Sequence, residues 1–253
     1  HVDLATGREA FGIPYIHTKD INSTQTIGWI QNQRPDIIFC FGWSQLIKSE
    51  LLNIPKFGIV GFHPADLPNN RGRHPIIWAL VLGLKKTANT FFLMDETADG
   101  GDILSQVEID ISHEDDASDL YDKIITTGKS QLDHITQMLI SGKLELLPQN
   151  EAKANHWRKR KHADGIIDWR MSSKSIHNLV RGLARPYVGA SFFLDGCEIK
   201  VWKTSTYPWS KNNLEPGLVV KVTPAGPVVK CGEDALCLLE LEPESSFYVG
   251  MYL

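Results

Sequence analysis

Three short apolar runs in the first part of the chain constrain its fold more than any other feature. They cover residues 36–42, 58–62 and 90–94, and the first run closes on Gly42. A strand buried on both faces is apolar at successive positions, whereas a strand with one solvated face alternates. Each run therefore predicts a strand inside a covered sheet, and the alternation over residues 103–111 predicts a fourth strand.

Helical patterns separate these strands. Residues 75–82 begin with Pro75, which is favourable in the first turn of a helix, and end at Gly83. Residues 115–141 carry apolar side chains at helical spacing and stop at Gly142. Strands that alternate with helices predict an α/β fold with a doubly wound, mostly parallel, Rossmann-like sheet.

The limits of this domain follow from where the pattern starts and where it changes. Residues 3–11 predict a helix where such a sheet would open with a strand, so we expect either that the first strand–helix–strand unit is missing or that it lies outside this sequence. A polar stretch opens near residue 150 and leads to the basic run 158–161. We therefore predict a catalytic domain over residues 1–155 and a second domain over residues 156–253.

The second domain is predicted to be rich in short strands. Ser172 or Ser173 caps a short helix that continues over residues 176–183. Five β-type segments separated by turn residues follow, over residues 190–194, 198–202, 217–222, 227–231 and 235–241. Short strands with regular turns predict a small, OB-like antiparallel β-barrel.

Composition and charge exclude several classes of protein. Apolar residues make up 42% of the chain and charged residues 22%, which is typical of an ordinary globular core rather than a disordered chain. The formal charge of −4 argues against a broad surface for nucleic acid. No apolar run approaches the roughly 20 residues that span a bilayer, and the first residues lack the pattern of a signal peptide.

The cysteines point to a reduced compartment. Cys40, Cys197, Cys231 and Cys237 show no C-x-x-C spacing and no partnered histidine pattern. A disulfide framework is unusual in a chain of this size, and structural zinc is not expected. We therefore expect a cytoplasmic protein.

Polar side chains follow three of the predicted strands, where open α/β sheets place functional groups. His63 ends the second run, and Asp99 lies in a glycine-flanked loop after the third. A lone histidine at a strand end is more often structural, but an Asp–His pair can shift the pKa values of both groups and serve acid–base chemistry. His63, His74 and the nearby aspartates match no zinc spacing, so no metal is expected.

The motifs around these residues resemble a known family. The sequence reads G-F-H, A-D-L-P, N-N-R-G-R-H-P and I-I-W-A, followed by D-G-G-D-I, and further on residues 164–169 and 181–190. These segments resemble, in order and separation, the 10-formyltetrahydrofolate-dependent formyltransferases, whose pattern is N-x-H, S-L-L-P, x-x-R-G, P-x-x-W-A and D-x-G-x-I. That family includes methionyl-tRNA formyltransferase and the N-formyltransferases that act on amino sugars linked to nucleotides.

The resemblance implies roles for His63 and Asp99 at the formyl carbon. An attacking amine would form a tetrahedral oxyanion, which His63 would stabilise as a hydrogen-bond donor. Asp99 would hold the imidazole ring and help remove the ammonium proton, with Asp102 as the alternative carboxylate. A well-placed donor of this kind contributes about 3 kcal/mol to a transition state, about a hundredfold in rate.

The sequence departs from the family pattern at Gly61, where the family normally has the asparagine that supplies a second oxyanion donor. Three explanations stay open: a subgroup with another donor, a weakened or inactive enzyme, or an altered residue. The candidates for a substitute donor are Gln45, Asn69, Asn70 and His74.

The resemblance also implies binding residues for the 10-formyltetrahydrofolate co-substrate and for the acceptor. The pterin end is expected against a loop and a second short segment, formed by Phe41, Trp43, Ser44, Gln45, Leu46 and Ile47 with Glu96 and Thr97. The acceptor or the folate glutamate is expected near Asn70, Arg71, Arg73 and His74, because guanidinium forks suit carboxylates and phosphates. Trp43 has core packing as its alternative role, and Arg71 has hydrogen bonds within its own loop.

The predicted acceptor rests on charge and on a resemblance. From residue 163 to residue 253 there are nine Lys or Arg against ten Asp or Glu, whereas tRNA binding requires a large cationic surface, so tRNA is disfavoured. The segments G-R-H-P-I-I-W-A-L and G-W-S-Q-L-I resemble bacterial surface-polysaccharide formyltransferases. This resemblance implies an amino-sugar nucleotide of the 4-amino-4,6-dideoxy type, from surface-polysaccharide or pseudaminic acid biosynthesis, as the acceptor. The alternatives are a carrier-bound aminoacyl group, methionyl-tRNA, or a non-catalytic protein that binds folate or a sugar nucleotide. The oligomeric state stays open, with a dimer among the options.

Overall fold

The N-terminal part of the protein builds a sheet with helices around it. The computed structural model describes residues 11–43 and 45–253, so most of the helix expected over residues 3–11 lies outside the described residues. The elements are α1 (Thr24–Gln33), β1 (Ile38–Cys40), α2 (Ser49–Leu52), β2 (Ile59–His63), β3 (Arg71–Gly72), α3 (Pro75–Val81), β4 (Lys86–Leu93), β5 (Ile103–Asp110) and α4 (Ala117–Ser141). All four predicted strands of this part are present, as are the helices predicted over residues 75–82 and 115–141.

The direction of the strands corrects one part of the prediction. The sheet has the order β1-β2-β4-β5, in which β1 and β2 are parallel and the other two pairs are antiparallel. The α/β fold is confirmed, but among the described strands the sheet is not mostly parallel. An apolar run shows that a strand is covered on both faces and carries no information about the direction of its neighbours.

Helices cover both faces of this sheet, which explains the apolar runs. Val60 of β2 packs with Phe91, Leu104 and the α4 residue Ile135 in one cluster. Its neighbour Ile59 packs in another cluster with residues of α1 and α2, including Ile27 and Leu51. Successive side chains of a strand point to opposite faces, so β2 is apolar at both.

The ends of the helices follow the local sequence signals. Pro75 occupies the first turn of α3. The long helix α4 begins at a capping box formed by Asp116 and Asp119 and ends at Gly142, whose φ of 67° lies in the left-handed region. Helix α1 was not predicted, because it buries only Thr26 and Ile27 and its apolar stripe is weak.

The C-terminal part consists of one α-helix packed on an antiparallel sheet. Its elements are β6 (His156–Trp157), α5 (Ser173–Leu183), β7 (Ala190–Leu194), β8 (Cys197–Tyr207), β9 (Val219–Thr223), β10 (Gly226–Lys230) and β11 (Ala235–Glu242). The five predicted strands form a sheet of order β7-β8-β11-β10-β9. No pairing between β7 and β9 is found among the described residues, so the expected barrel is an open sheet there. Helix α5 packs against this sheet, in one core with Phe192 of β7 and Val219 of β9.

Contacts of α5 with α3 and of β6 with β3 help to join the parts. Gly182 of α5 lies against Leu80 and Val81 at the end of α3, where a Cβ would be 3.1 Å from the Val81 side chain. Strand β6 pairs with β3, so the segment after α4 lies beside the loop that follows β2. The domain boundary at residue 155 stays a prediction. Among the described helices, none combines the length and the apolar character needed to cross a membrane.

Candidate active site

His63 is the last residue of β2 and has only 5% of its surface exposed. Its Nε2 atom lies 2.8 Å from the backbone oxygen of Asn70. A carbonyl oxygen only accepts hydrogen bonds, so Nε2 carries the hydrogen and the ring is oriented by the chain that follows β2. The second ring nitrogen, Nδ1, is therefore the atom that can accept or donate a proton at the site.

Asp99 faces this second nitrogen. Its Oδ2 atom lies 3.8 Å from His63 Nδ1, too long for a direct hydrogen bond, and accepts a hydrogen bond of 2.8 Å from the Gly72 N–H. The expectation that Asp99 holds the imidazole ring is therefore not what the geometry shows, because the Asn70 carbonyl has that role. Asp102, the alternative carboxylate, does not line the cavity described below.

The loop that carries Asp99 folds back over the sheet. Strand β4 runs antiparallel to β2, so its last residue, Leu93, lies opposite Val60 rather than at the His63 end. The return is stabilised where the Leu93 N–H bonds to the Asp102 oxygen at 2.9 Å. A Cβ on Gly101 would be 1.7 Å from the Leu93 oxygen, so this close approach requires glycine.

A cavity of about 280 Å³ opens in front of the pair. Its walls come from the loop after β1, the end of β2, the residues around Gly72, the end of β4 and the loop of Asp99. The lining residues are Cys40, Gly42, Trp43, Gln45, Leu46, Gly61, Phe62, His63, Gly72, Arg73, Phe92, Met94, Thr97, Ala98 and Asp99. Among the described residues, no group of three or more His, Cys, Asp or Glu side chains is arranged to hold a metal ion.

The residues predicted for the folate divide into two groups. Trp43, Gln45, Leu46 and Thr97 line the cavity, whereas Phe41, Ile47 and Glu96 do not. The Ile47 side chain is 3% exposed and belongs to the core beside Leu51, and the Phe41 ring packs against Phe39, Phe62 and Phe91. Ser44 lies outside the described residues.

The chemistry of the cavity fits a flat heterocycle. Trp43 and Leu46 are 39% and 59% exposed, so their apolar surfaces are open to a ligand. The backbone beside them at Gly42 also lines the cavity. Apolar walls with a few polar groups at one end are typical of small-molecule sites.

Gly61 has no room for a larger side chain. A Cβ placed there would be 2.8 Å from Cζ of Phe92 and 2.9 Å from Cγ of Met94. The side chains of these two residues fill the space beside the strand, so the second donor of the family pattern is replaced here by apolar packing.

The substitute donors proposed from the sequence are engaged elsewhere or lie apart. The Gln45 amide donates to the Lys19 oxygen at 3.0 Å, and the Asn69 amide donates to Asp66 at 3.4 Å. His74 accepts a hydrogen bond from the Arg160 N–H at 3.3 Å. Of these residues, Gln45 alone lines the cavity.

The four residues predicted for the acceptor are also separated. Arg73 lines the cavity. Arg71 is 3% exposed and its guanidinium bonds to Gln149 and Glu151, which favours its structural role. The hydrogen bond from Arg71 lowers the pKa of Glu151.

His74 lies beside the basic run instead. Burial lowers the pKa of His74, and the charges of Lys159, Arg160 and Arg73 lower it further. Asn70 contributes its backbone, with its oxygen on His63 and its N–H on the Asn155 side chain at 2.7 Å.

Several residues of the site were not predicted. Cys40, Phe92, Met94 and Ala98 line the cavity, and burial raises the pKa of the Cys40 thiol. Gln149, Asn155 and Trp157 support it from the segment after α4. A Cβ on Gly72 would be 2.4 Å from the Trp157 oxygen, so that segment approaches the site closely. Local sequence patterns do not predict contacts between such distant segments. The polar stretch near residue 150 indicated only where this segment lies in the chain.

The fold and the site define a two-part α/β enzyme with a histidine and a carboxylate facing one cavity. The formyl transferase model matches residues 13–136, and the model of the formyl transferase C-terminal domain matches residues 159–249. The methionyl-tRNA formyltransferase of Bacillus subtilis (strain 168) is 34% identical over 233 residues, which are 92% of this chain and 73% of that protein. The chain belongs to the formyl transferase family, which confirms the family and the class of enzyme predicted from the motifs.

Solved structures share the fold at low identity. HypX from Aquifex aeolicus in complex with tetrahydrofolic acid is 18% identical with a TM-score of 0.67, over 85% of this chain and 37% of that one. The N-formyltransferase from Helicobacter canadensis, in complex with folinic acid and dTDP-3-aminofucose, is 18% identical with a TM-score of 0.67, over 93% of this chain and 82% of that one. The chain thus spans less than two fifths of the length of HypX.

Proposed function

We propose that this chain transfers the formyl group of 10-formyltetrahydrofolate to the amine of an amino-sugar nucleotide. The observation that carries the proposal is the placement of His63 Nδ1 and Asp99 Oδ2, 3.8 Å apart on the wall of one cavity. An acid–base pair at this separation leaves room for one reacting group to contact both members.

The folate donor is supported by the apolar end of the cavity. Trp43 and Leu46 offer exposed surface for the pterin, and Thr97 lines the other side. The relatives whose structures contain tetrahydrofolic acid or folinic acid share this fold. The formyl group of a donor bound in this way would reach the polar end, where His63 lies.

The proposed roles follow from the hydrogen bonds. Because His63 Nε2 is committed to the Asn70 carbonyl, Nδ1 donates to the formyl oxygen when the ring is protonated. Asp99 accepts the proton that the attacking amine releases, and the Gly72 N–H holds its carboxylate for that purpose. As the tetrahedral intermediate collapses, the bond between the formyl carbon and N10 of the folate breaks, N10 takes up this proton, and tetrahydrofolate leaves. Stabilising the developing negative charge with one such donor contributes about 3 kcal/mol.

The amino-sugar nucleotide is supported by charge. Outside the basic run 158–161, residues 163–253 carry nine basic and ten acidic side chains, so this stretch has no excess of positive charge for tRNA. Arg73 at the cavity provides local positive charge of the kind a diphosphate requires. The four cysteines are free, and we place the enzyme in the cytoplasm on that ground.

Methionyl-tRNA is the second candidate acceptor, because the 34% identical relative is a methionyl-tRNA formyltransferase. The two candidates differ in their demand for cationic surface. Formylation of tRNA would fall steeply with added salt, whereas formylation of a sugar nucleotide would change little.

The test offers the protein 10-formyltetrahydrofolate with dTDP-linked 3-amino and 4-amino dideoxy sugars, and separately with methionyl-tRNA. We expect a formylated sugar nucleotide by mass spectrometry, and loss of at least about a hundredfold in rate for His63→Ala. His134→Ala, which removes an exposed histidine of α4, is the matched control and should keep full activity. Full activity of His63→Ala, or transfer to tRNA alone, would overturn the proposal.

A further inference from the structure

We propose that Gln149 is a positioning residue for the transfer reaction, because its side-chain amide holds Asp99 in place against His63. This inference rests on the proposed function. Gln149 lies in the segment after α4, far from Asp99 in sequence, and it does not line the cavity. Its effect on the reaction is therefore exerted through Asp99.

The donor side of the amide holds the backbone of the Asp99 loop. Gln149 Nε2 donates to the Asp99 oxygen at 2.8 Å and to the Gly101 oxygen at 2.7 Å. Asp99 has a φ of 58°, in the left-handed region that costs about 1 kcal/mol or more for a residue other than glycine. The two hydrogen bonds stabilise this turn and so fix the direction in which the Asp99 carboxylate points.

The oxygen of the same amide stabilises the segment that contacts the Asp99 side chain. Gln149 Oε1 accepts from Nε and Nη2 of Arg71, at 3.2 and 2.8 Å. Arg71 is followed by Gly72, whose N–H donates to the Asp99 carboxylate at 2.8 Å. The Gln149 amide thus contacts the backbone of Asp99 directly and reaches its side chain through Arg71 and Gly72. These four residues form a closed ring of contacts.

Glu151 strengthens this ring from outside. Its carboxylate binds Arg71 through both oxygens, at 2.6 and 3.0 Å. With these bonds, the buried guanidinium presents Nε and Nη2 to Gln149 in a fixed orientation. The orientation of the Gln149 amide is determined as a result, with oxygen toward Arg71 and nitrogen toward the loop.

His63 is held independently of Gln149. Its ring is oriented by the Asn70 carbonyl, and the Asn70 N–H bonds to Asn155. We therefore expect a change at Gln149 to displace Asp99 more than His63. This separation makes the proposal testable.

Two substitutions break the ring in different ways. Gln149→Glu keeps an acceptor for Arg71 but directs an oxygen at the Asp99 and Gly101 carbonyls. Gln149→Met keeps the length of the side chain and removes both donors and the acceptor. For each we expect kcat to fall by about tenfold to a hundredfold with KM within about threefold, since misplacement by about 1 Å costs this much.

Gln131→Met is the matched control. Gln131 is 4% exposed and donates to the Asn89 oxygen and the Ser105 hydroxyl, so its loss also breaks two hydrogen bonds of one amide, away from the cavity. We expect a lower free energy of unfolding and an unchanged kcat per folded molecule. Thermal unfolding of every variant gives its folded fraction, so that kcat is compared per folded molecule.

A double-mutant cycle with Asp99→Asn decides whether Gln149 acts through Asp99. In that background we expect Gln149→Met to lower kcat by less than about twofold, because the group it positions is already disabled. An equal loss in both backgrounds, or full kcat of Gln149→Glu and Gln149→Met, would overturn the proposal. If Asp99→Asn turns over too slowly to measure, the kinetics of the single Gln149 variants decide. A fall in kcat with KM within about threefold supports the proposal, and an unchanged kcat overturns it. Absence of transfer by the unsubstituted protein would instead overturn the proposed function.

Discussion

At the scale of single residues, the contacts that side chains already make limit what they can do at the site. His63 commits one ring nitrogen to Asn70, and Gln45 commits its amide to Lys19. Gly61 has no side chain, and its neighbour Phe92 takes the adjacent space. In the proposed mechanism, the His63 and Asp99 pair therefore acts without a side-chain donor from residue 61.

Enlarging residue 61 should destabilise the protein. Gly61→Ala places a Cβ against the ring of Phe92, which is 2% exposed and has little room to move, so we expect a loss of about 1–3 kcal/mol in the free energy of unfolding. Urea unfolding measures this change. A second substitution, Phe92→Leu, should restore part of the loss.

The same change at Gly28 is the control. Gly28 lies in helix α1, where a Cβ meets no atom within 4 Å. Gly28→Ala should therefore raise the free energy of unfolding by up to about 1 kcal/mol through helix propensity. Equal effects at the two glycines would contradict the packing described for Gly61.

At the scale of elements, local signals predicted α3, α4 and α5 but not α1 or α2, and distant contacts determined the site. Pro75 and Gly142 marked helix ends that the structure confirms. The antiparallel direction of β4 and the return of its loop to His63 were not predictable, because they depend on pairing between distant strands. The contacts of Gln149 span 48 to 50 residues in sequence on the Asp99 side, beyond the reach of any periodic pattern.

The start of α4 offers a test of these local signals. The Asp116 side chain accepts hydrogen bonds from the N–H groups of Ser118 and Asp119, at 2.7 and 3.1 Å. Asp116→Ala should lower the free energy of unfolding by about 1 kcal/mol. Asp133→Ala, which removes an exposed aspartate within the helix, should cause no loss, and a similar loss at both positions would contradict the capping role.

At the scale of the whole molecule, the two parts are tied together beside the site. Arg181 of α5 is 8% exposed and donates to the Ser112 and Asp115 oxygens of the N-terminal part. Strand β6 brings Trp157 against Gly72. The sequence predicts two parts, and in the structure residues 149–157 contact the cavity-lining residues Asp99 and Gly72.

The reactivity of the cysteines reports on this packing. Cys197 is exposed, whereas burial raises the pKa of Cys231 to about 12. A raised pKa keeps the Cys231 thiol protonated at pH 8, so iodoacetamide should label Cys197 first and Cys231 only on unfolding. Peptide mass spectrometry over time measures the order. Labelling of Cys231 as fast as Cys197 in the native protein would contradict the core described for the C-terminal sheet.

The central claim is that one cavity holds the folate donor beside the histidine and aspartate pair. A crystal structure with 5-formyltetrahydrofolate, which resembles the donor, tests it most directly. We predict the pterin against Trp43 and Leu46, with N10 of the folate, which carries the formyl group in the donor, directed toward His63 Nδ1. A pterin bound outside this cavity, or N10 directed away from His63, would contradict the claim.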